Sequence, residues 1–525
     1  MSAEARSVGL PEPASGTERV LITFAVMSAT LLQVLDTTIV NVALPHMQGE
    51  LGATSDQISW VLTSYLVAAG ICMPLTGYLA DVLGRKRFLA LSIAGFVAAS
   101  ALCGLSQNLA EIVLFRMLQG VFGAALVPLS QAIMADAYPP SERGRAMALW
   151  GLGVMVGPVL GPTLGGWLTD VASWRWTFYI NLPVGVLSLA LALTFVPDTA
   201  RRARRMDWTG FALISLGVAG LQYFLDRGNQ QDWFAGYDIR AAAALAVVGL
   251  GAFIGYSLRR PGRAVLDVRL FADRNFAMAC LLIMALGLGM FGGLVIQPIL
   301  LERLLNYPIM TTGLLMAPRG VATAITMIVV GRIVGRVDPR WLIGFGIAVS
   351  AAASYAMTSY SLEVDTFWIV WPIFLQGIGL GLIFVPLSTT AYETLERSRI
   401  AEAAGVFSLV RTIGSAIGIS VATTVLTRQG QVLWNTFGGH ITQYSTAFAD
   451  YLRGLGLSPT DPLAAQIAAQ EIAQQAQMAA MLDVFYLITW SFVAMAPLLL
   501  LMRRWDRAPS KKVLIAQRKH DEIVA

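Results

Sequence analysis

Fourteen runs of about 20 mostly apolar residues follow one another along the chain, the first starting near residue 20 and the last ending near residue 502. Each is long enough to cross roughly 30 Å of hydrocarbon as a helix. In hydrocarbon every backbone N–H and C=O needs a partner inside the protein, so these runs must be helices. The chain therefore reads as an all-α polytopic membrane protein, which its charged share of 13% also suits. Cys72, Cys103 and Cys280 all fall within apolar runs, where a small buried thiol accounts for each without disulfide or metal chemistry.

The basic residues set the expected orientation. Arg85, Lys86 and Arg87, then Arg143 and Arg145, Arg201, Arg202, Arg204 and Arg205, Arg336 and Arg340, and the Arg503, Arg504, Lys511, Lys512 tail occupy alternate connections. Short basic loops stay on the cytoplasmic side, so both termini are expected there. The clusters are short and flank spans, which fits topology fixing and anionic-lipid contact and speaks against nucleic-acid binding. The polar first 19 residues lack the basic-then-apolar layout of a cleaved signal, so the first span is expected to serve as the insertion signal.

The chain also repeats itself. LQGVFGAALVPLS, Leu118 to Ser130, recurs as LQGIGLGLIFVPLS, Leu375 to Ser388, and GYLADVLGRKRFL from Gly77 is echoed by GRIVGRVDPRWLI from Gly331. The echoes are about equally far apart, which divides the chain into two six-helix bundles with two additional spans between them. The expected order is a tail over 1–19, an amino-terminal bundle over 20–206, two extra helices and a linker over 207–275, a carboxy-terminal bundle over 276–505, and a tail over 506–525. Duplicated bundles that rock about a midplane cavity are the architecture of secondary transporters.

In the fifth span Gly153, Gly157, Gly161 and Gly165 recur every four residues, with Pro158 and Pro162 directly after two of them. On a helix the four glycines form one bare stripe. Each interior Gly costs about 1 kcal/mol and each interior Pro about 3 relative to Ala in a soluble helix, so the bilayer must impose helicity here, and the stripe lets another helix approach closely. Gly414 and Gly418 hold the corresponding place in the second bundle.

These motifs carry a family resemblance. GYLADVLGRKR is similar to the signature loop between the second and third spans of major facilitator transporters, and GVMVGPVLGPTLGG to the fifth-span motif of their drug:proton antiporters. With LDTTIVNVALP in the first span, YPPSERGRAMALW before the fifth and LDRGNQQDWF after the seventh, the chain resembles the fourteen-span EmrB/QacA type of multidrug exporter over nearly its whole length. The resemblance implies the major facilitator fold and proton-coupled antiport of hydrophobic or weakly acidic small molecules across a bacterial inner membrane. It also implies a periplasmic membrane-fusion adaptor leading to an outer-membrane channel. In the second copy of the signature loop, Asp338 and Pro339 stand where the first has Gly84 and Arg85.

The charged residues inside the spans are the candidate site. Gln33, Asp36, Thr37 and Asn41 share one face of the first span, with Asp36 well inside hydrocarbon depth. A carboxylate there is expensive to ionise, so its protonation follows its access to water, as a proton carrier requires. Arg116 in the fourth span is the expected partner, and the resemblance places a functional arginine at this position; a static buried pair that never opens would satisfy both charges as well. Asp81, Arg85 and Arg87, with Gly77 and Gly84 closing the turn, read as a gating latch or as a loop that only fixes topology. Arg319 and Arg411 either face the cavity and attract acidic substrates or snorkel to the interface. Met284, Met290 and Phe291 belong either to an adaptable apolar cavity or to lipid-facing and core surface.

His46, His440 and His520 lie far apart and no GxxxxGK[ST] run occurs, so the chain reads as a transporter and not an enzyme, without metal or cofactor and driven by the proton gradient. Other readings are an exporter dedicated to one metabolite or siderophore and, from another class, a membrane sensor or channel. The connection over 428–482 is far longer than a loop needs to be. Within it, Asp461 and Pro462 open a run that favours helix without a membrane-binding face, readable as an adaptor-docking helix or as a flap over the cavity mouth.

Overall fold

The computed structural model describes residues 16–139, 142–199, 201, 205–260, 264–395, 399–442, 444–454, 457–458 and 461–502. His520, Arg202, Arg204, most of the amino-terminal tail, the tail over 506–525 and the Arg503, Arg504, Lys511, Lys512 group lie outside the described residues.

Among the described residues, fourteen helices are long and apolar enough to cross a membrane, making this a multi-pass membrane protein. Spans 1 to 6 are Gly16–Glu50, Trp60–Leu83, Arg85–Leu105, Leu109–Ala137, Arg143–Val171 and Trp176–Phe195. Spans 7 and 8 are Trp208–Gln231 and Tyr237–Arg259. Spans 9 to 14 are Arg274–Leu304, Met310–Ile333, Pro339–Met357, Thr366–Thr390, Ile400–His440 and Leu463–Leu501. Helices and turns make up the described residues, and no strand occurs among them.

One packing plan is used twice. Span 1 lies on spans 5 and 6, span 4 on spans 2 and 3, and span 3 on span 6; spans 9, 13, 14, 12, 10 and 11 repeat those pairings in the same roles. The glycine ladder supplies the tightest of them. A Cβ at Gly157 would lie 2.8 Å from the Val34 carbonyl carbon, and one at Gly165 would lie 2.6 Å from the Ile39 carbonyl oxygen. Thr38 Oγ1 donates to the Gly157 carbonyl at 3.1 Å across the same crossing. Gly418 meets span 9 in the same way, 2.5 Å from Leu288 Cα. Span 5 continues as one helix through Pro158 and Pro162, because its neighbours hold the backbone where the prolines remove its own hydrogen bonds.

The two sets meet where span 5 runs along span 10 and where span 2 meets span 13. On the face that bears Arg85, a Cβ at Gly77 would sit 2.8 Å from Glu402 Cα, and one at Gly331 would sit 2.6 Å from Ala148 Cβ. The halves are thus closed on this arginine-rich face. Spans 7 and 8 cross closely at Gly217, whose Cβ would be 2.7 Å from Leu250 N, and span 7 leans on span 2 through Trp60 and Tyr223.

The long connection differs from its expected form. Span 13 runs on as one 41-residue helix to His440, and the helix expected after Asp461 continues without a break into span 14, giving the 40-residue Pro462–Leu501. At 1.5 Å per residue each is about 60 Å long, twice the hydrocarbon thickness. The Ala, Gln and Met run from Ala464 to Met481 contains no Gly or Pro to stop it. Asp461 does sit at the helix start, but its carboxylate accepts from the Ser458 N–H at 3.0 Å behind it. The short helix Thr446–Gly454 completes the tip, and a cavity of about 480 Å³ lies there between Trp434, Phe448, Ala465 and Ile472.

Candidate functional site

Asp36 and Arg116 meet in the interior of the amino-terminal half, 0% and 1% exposed, with Arg116 Nη1 donating to Asp36 Oδ2 at 2.6 Å. Two further donors reach the other carboxylate oxygen: Gln119 Nε2 at 2.8 Å and Asn181 Nδ2 at 3.0 Å. Arg116 in turn donates through Nη1 to Gln119 Oε1 at 2.7 Å and through Nε to the Val61 carbonyl at 3.0 Å. Its guanidinium lies 4.3 Å from the Tyr65 ring centroid, a geometry that favours a desolvated cation. Asn181 Nδ2 also reaches Ser100 Oγ at 3.1 Å.

Removing two ions from water costs several kcal/mol each, and the cost is offset only when geometry and remaining hydrogen bonds are good. Here the carboxylate has three donors from spans 4 and 6. Two polar atoms of the node, Tyr65 OH and Asn181 Oδ1, are buried without a hydrogen-bond partner among the described residues, so the node retains capacity for another donor or acceptor. Asp36 and Arg116 were expected; Gln119, Asn181 and Tyr65 were not. Gln119 stood in plain view within the repeated LQG run, whereas nothing near Asn181 in sequence marks it.

The other members of the expected face disperse. Gln33 is buried, and its Oε1 accepts the Val127 N–H at 3.1 Å, at the point where span 4 breaks between Leu109–Gly123 and Leu126–Ala137. Thr37 donates back to the Val34 carbonyl at 2.8 Å, and Asn41 is exposed.

In the signature loop Gly84 takes φ 82° between spans 2 and 3, a backbone conformation that costs an L side chain energy. Arg85 pairs with Asp136 at the end of span 4, a partner that the sequence did not disclose, while its backbone N–H donates to Thr199 Oγ1 at 3.0 Å. Arg87 Nε is 4.0 Å from Asp198. In the second copy of the loop, Asp338 accepts the Arg340 N–H at 3.0 Å and caps span 11.

Arg411 lines a narrow cleft between the halves with Met155, Met290, Phe291 and Phe384. Trp150 of span 5 stacks on Phe384 of span 12 at 5.8 Å beside it. Met284 contributes backbone to the crossing with Gly414. Arg319 lies away from this cleft; it is 6% exposed and held by Gln297 and Gln376.

The chain matches one known family, two curated relatives and a solved structure over most of its length. The family described as the Major Facilitator Superfamily matches residues 26–419. Fatty acid resistance protein FarB of Neisseria gonorrhoeae is 34% identical over 499 residues, 94% of this chain and 97% of that one. Multidrug export protein EmrB of Escherichia coli is 34% identical over 489 residues, 92% and 95% of the two chains. Among solved structures, that of the human organic anion transporter TETRAN is 16% identical with a TM-score of 0.59, covering 90% of this chain and 99% of that one.

Proposed function

Because this chain belongs to the Major Facilitator Superfamily, we propose that it exports hydrophobic and weakly acidic small molecules in exchange for protons. The observation that carries the reading is the Asp36 node: an acid with three donors, buried at membrane depth beside a fixed cation. Ionised, Asp36 neutralises Arg116; protonated, it leaves the half with one uncompensated positive charge. That change in charge favours a different packing of spans 1, 4 and 6, and a rocking half converts it into exposure to one side or the other. A proton moving inward releases about 2.3 kcal/mol per 100 mV, enough to concentrate a substrate roughly fiftyfold.

The names of the relatives, which include multidrug export and fatty acid resistance, support drug-like and acidic amphiphilic substrates. The arginine-rich face is assigned to the cytoplasm of an inner-membrane protein with both termini inside. The closed contacts at Gly77 and Gly331 are then an inner gate in its shut state, with the Arg85–Asp136 pair as latch. The two long helices that carry the 480 Å³ cavity then stand in the periplasm, where they would dock a membrane-fusion adaptor that leads to an outer-membrane channel.

The test is transport of a dye panel in proteoliposomes with an imposed pH gradient. Wild type should show gradient-dependent movement, and Asp36→Asn should lose it while remaining folded. Gradient-dependent transport at the wild-type rate in Asp36→Asn would remove Asp36 from the coupling step.

A further inference from the structure

The carboxy-terminal half holds a second polar node in the position that the Asp36 node has in the first half. Arg319 stands twelve residues before Gly331, as Tyr65 stands twelve before Gly77. Gln376 follows Leu375 in the repeated LQG run, as Gln119 follows Leu118. Arg319 donates to Gln297 Oε1 and, at 2.8 Å, to Gln376 Oε1. Gln297 Nε2 donates to Gln376 Oε1 at 3.1 Å, and Gln376 Nε2 to Ser354 Oγ at 3.1 Å. Gln297 of span 9 therefore bonds the glutamine of the repeated run as Asp36 of span 1 does, although it lies further along its helix, and Ser354 stands twenty-three residues after Gly331 as Ser100 does after Gly77.

The charge differs. Ile373 stands where the first half has Arg116, the cation has moved to span 10, and no ion pair joins Arg319 to a carboxylate among the described residues. Arg319 lies ten residues along Ile309–Ile333, about 15 Å from that helix's start and so near the middle of the membrane. An unneutralised guanidinium there is costly, and two amide oxygens do not supply a charge. Arg319 Nε is also buried without a hydrogen-bond partner among the described residues. Of the residues that bond Arg319, Gln297 is 2% exposed while Gln376 is only partly buried, which makes Gln376 the side from which the node is approached.

We propose that this node is an anion site, with Arg319 binding a monoanion that enters past Gln376. The anion is either the carboxylate of an exported acidic amphiphile or a small inorganic anion such as chloride. The first source rests on the export reading; the second does not.

The experiment measures thermal unfolding of the purified full chain in detergent, with low-salt buffer balanced by sucrose as the reference and added chloride, acetate or octanoate. Wild type should show a saturable rise in Tm with at least one of these anions. A response to chloride and acetate alike identifies a small-anion site, and a response to octanoate alone identifies the substrate headgroup. Gln297→Glu, which places an acid beside Arg319, should abolish the response and raise Tm in the reference buffer; Arg319→Gln should abolish it as well. Gln297→Glu also answers the question if Arg319→Gln fails to fold. Asp36→Asn should keep the response, so that loss of proton coupling and loss of anion binding are read separately. No anion response in wild type, or one that survives Gln297→Glu, would overturn the assignment. A response lost only in Arg411→Gln would overturn it too, by placing the anion in the central cleft.

Discussion

Gly157→Ala tests how span 1 is held. A methyl at Gly157 would lie 2.7 Å from Val34 Cγ1, 2.8 Å from the Val34 carbonyl carbon and 2.9 Å from Leu35 N. Two of these neighbours are backbone, so no rotamer change relieves the clash; the helices must separate by about 0.6 Å to reach ordinary contact, a gap that forfeits a quarter to a half of the local dispersion energy. Overpacking of this kind costs about 1–3 kcal/mol. At Gly153 the same methyl would meet Met27 O at 3.6 Å, so Gly153→Ala should be neutral or gain about 0.4–1 kcal/mol from reduced chain entropy. The two variants differ by one helical turn and by the same atom, and should differ by about 1–3 kcal/mol in stability. The displaced residues adjoin Asp36, so the 2.6 Å contact with Arg116 should lengthen and proton-driven transport fall in Gly157→Ala alone. Thermal unfolding followed by size-exclusion, with transport on the same preparations, measures both. Equal unfolding temperatures for the two variants would refute the close crossing.

Other consequences are as direct. Arg85→Gln and Asp136→Asn should raise labelling of an inner-gate cysteine similarly, and the double variant should add little, because both remove one ion pair. Gly331→Val places bulk against Ala148 and Gly144 across the halves; it should shift the population away from the state closed on the arginine-rich face, read by the same labelling, and unchanged labelling would count against that closure. Replacing residues 434–472 by a short Gly-Ser linker removes the projecting tip and should spare transport in vesicles while abolishing adaptor co-purification. An intact complex would leave only a role as a flap over the cavity mouth. Asn181→Ala removes one of three donors to Asp36 and should shift the pH profile of transport with little loss of folded protein, since membrane-buried hydrogen bonds average about 0.6 kcal/mol; an unshifted profile would place Asn181 outside the proton step.

The spans, their class and the duplication were legible in the sequence because each is a local property. Twenty apolar residues must be a helix in hydrocarbon wherever they sit, and LQG or GYLAD read the same before and after folding. Asp36 and Arg116 were legible for the same reason: a charge in an apolar run is conspicuous on its own. Tertiary structure alone decided which atoms meet. The 80 positions between Asp36 and Arg116, the 145 between Asp36 and Asn181 and the 51 between Arg85 and Asp136 are closed by helix packing, and polar residues such as Asn181 and Gln297 carry no mark of their partners. Local propensity also could not show that the helix begun at Pro462 would run unbroken into span 14, because apolar periodicity ends at the membrane surface while backbone hydrogen bonding does not. The glycine ladder combines both levels: its spacing dictated a close approach, and only the fold chose span 1 as the helix that approaches.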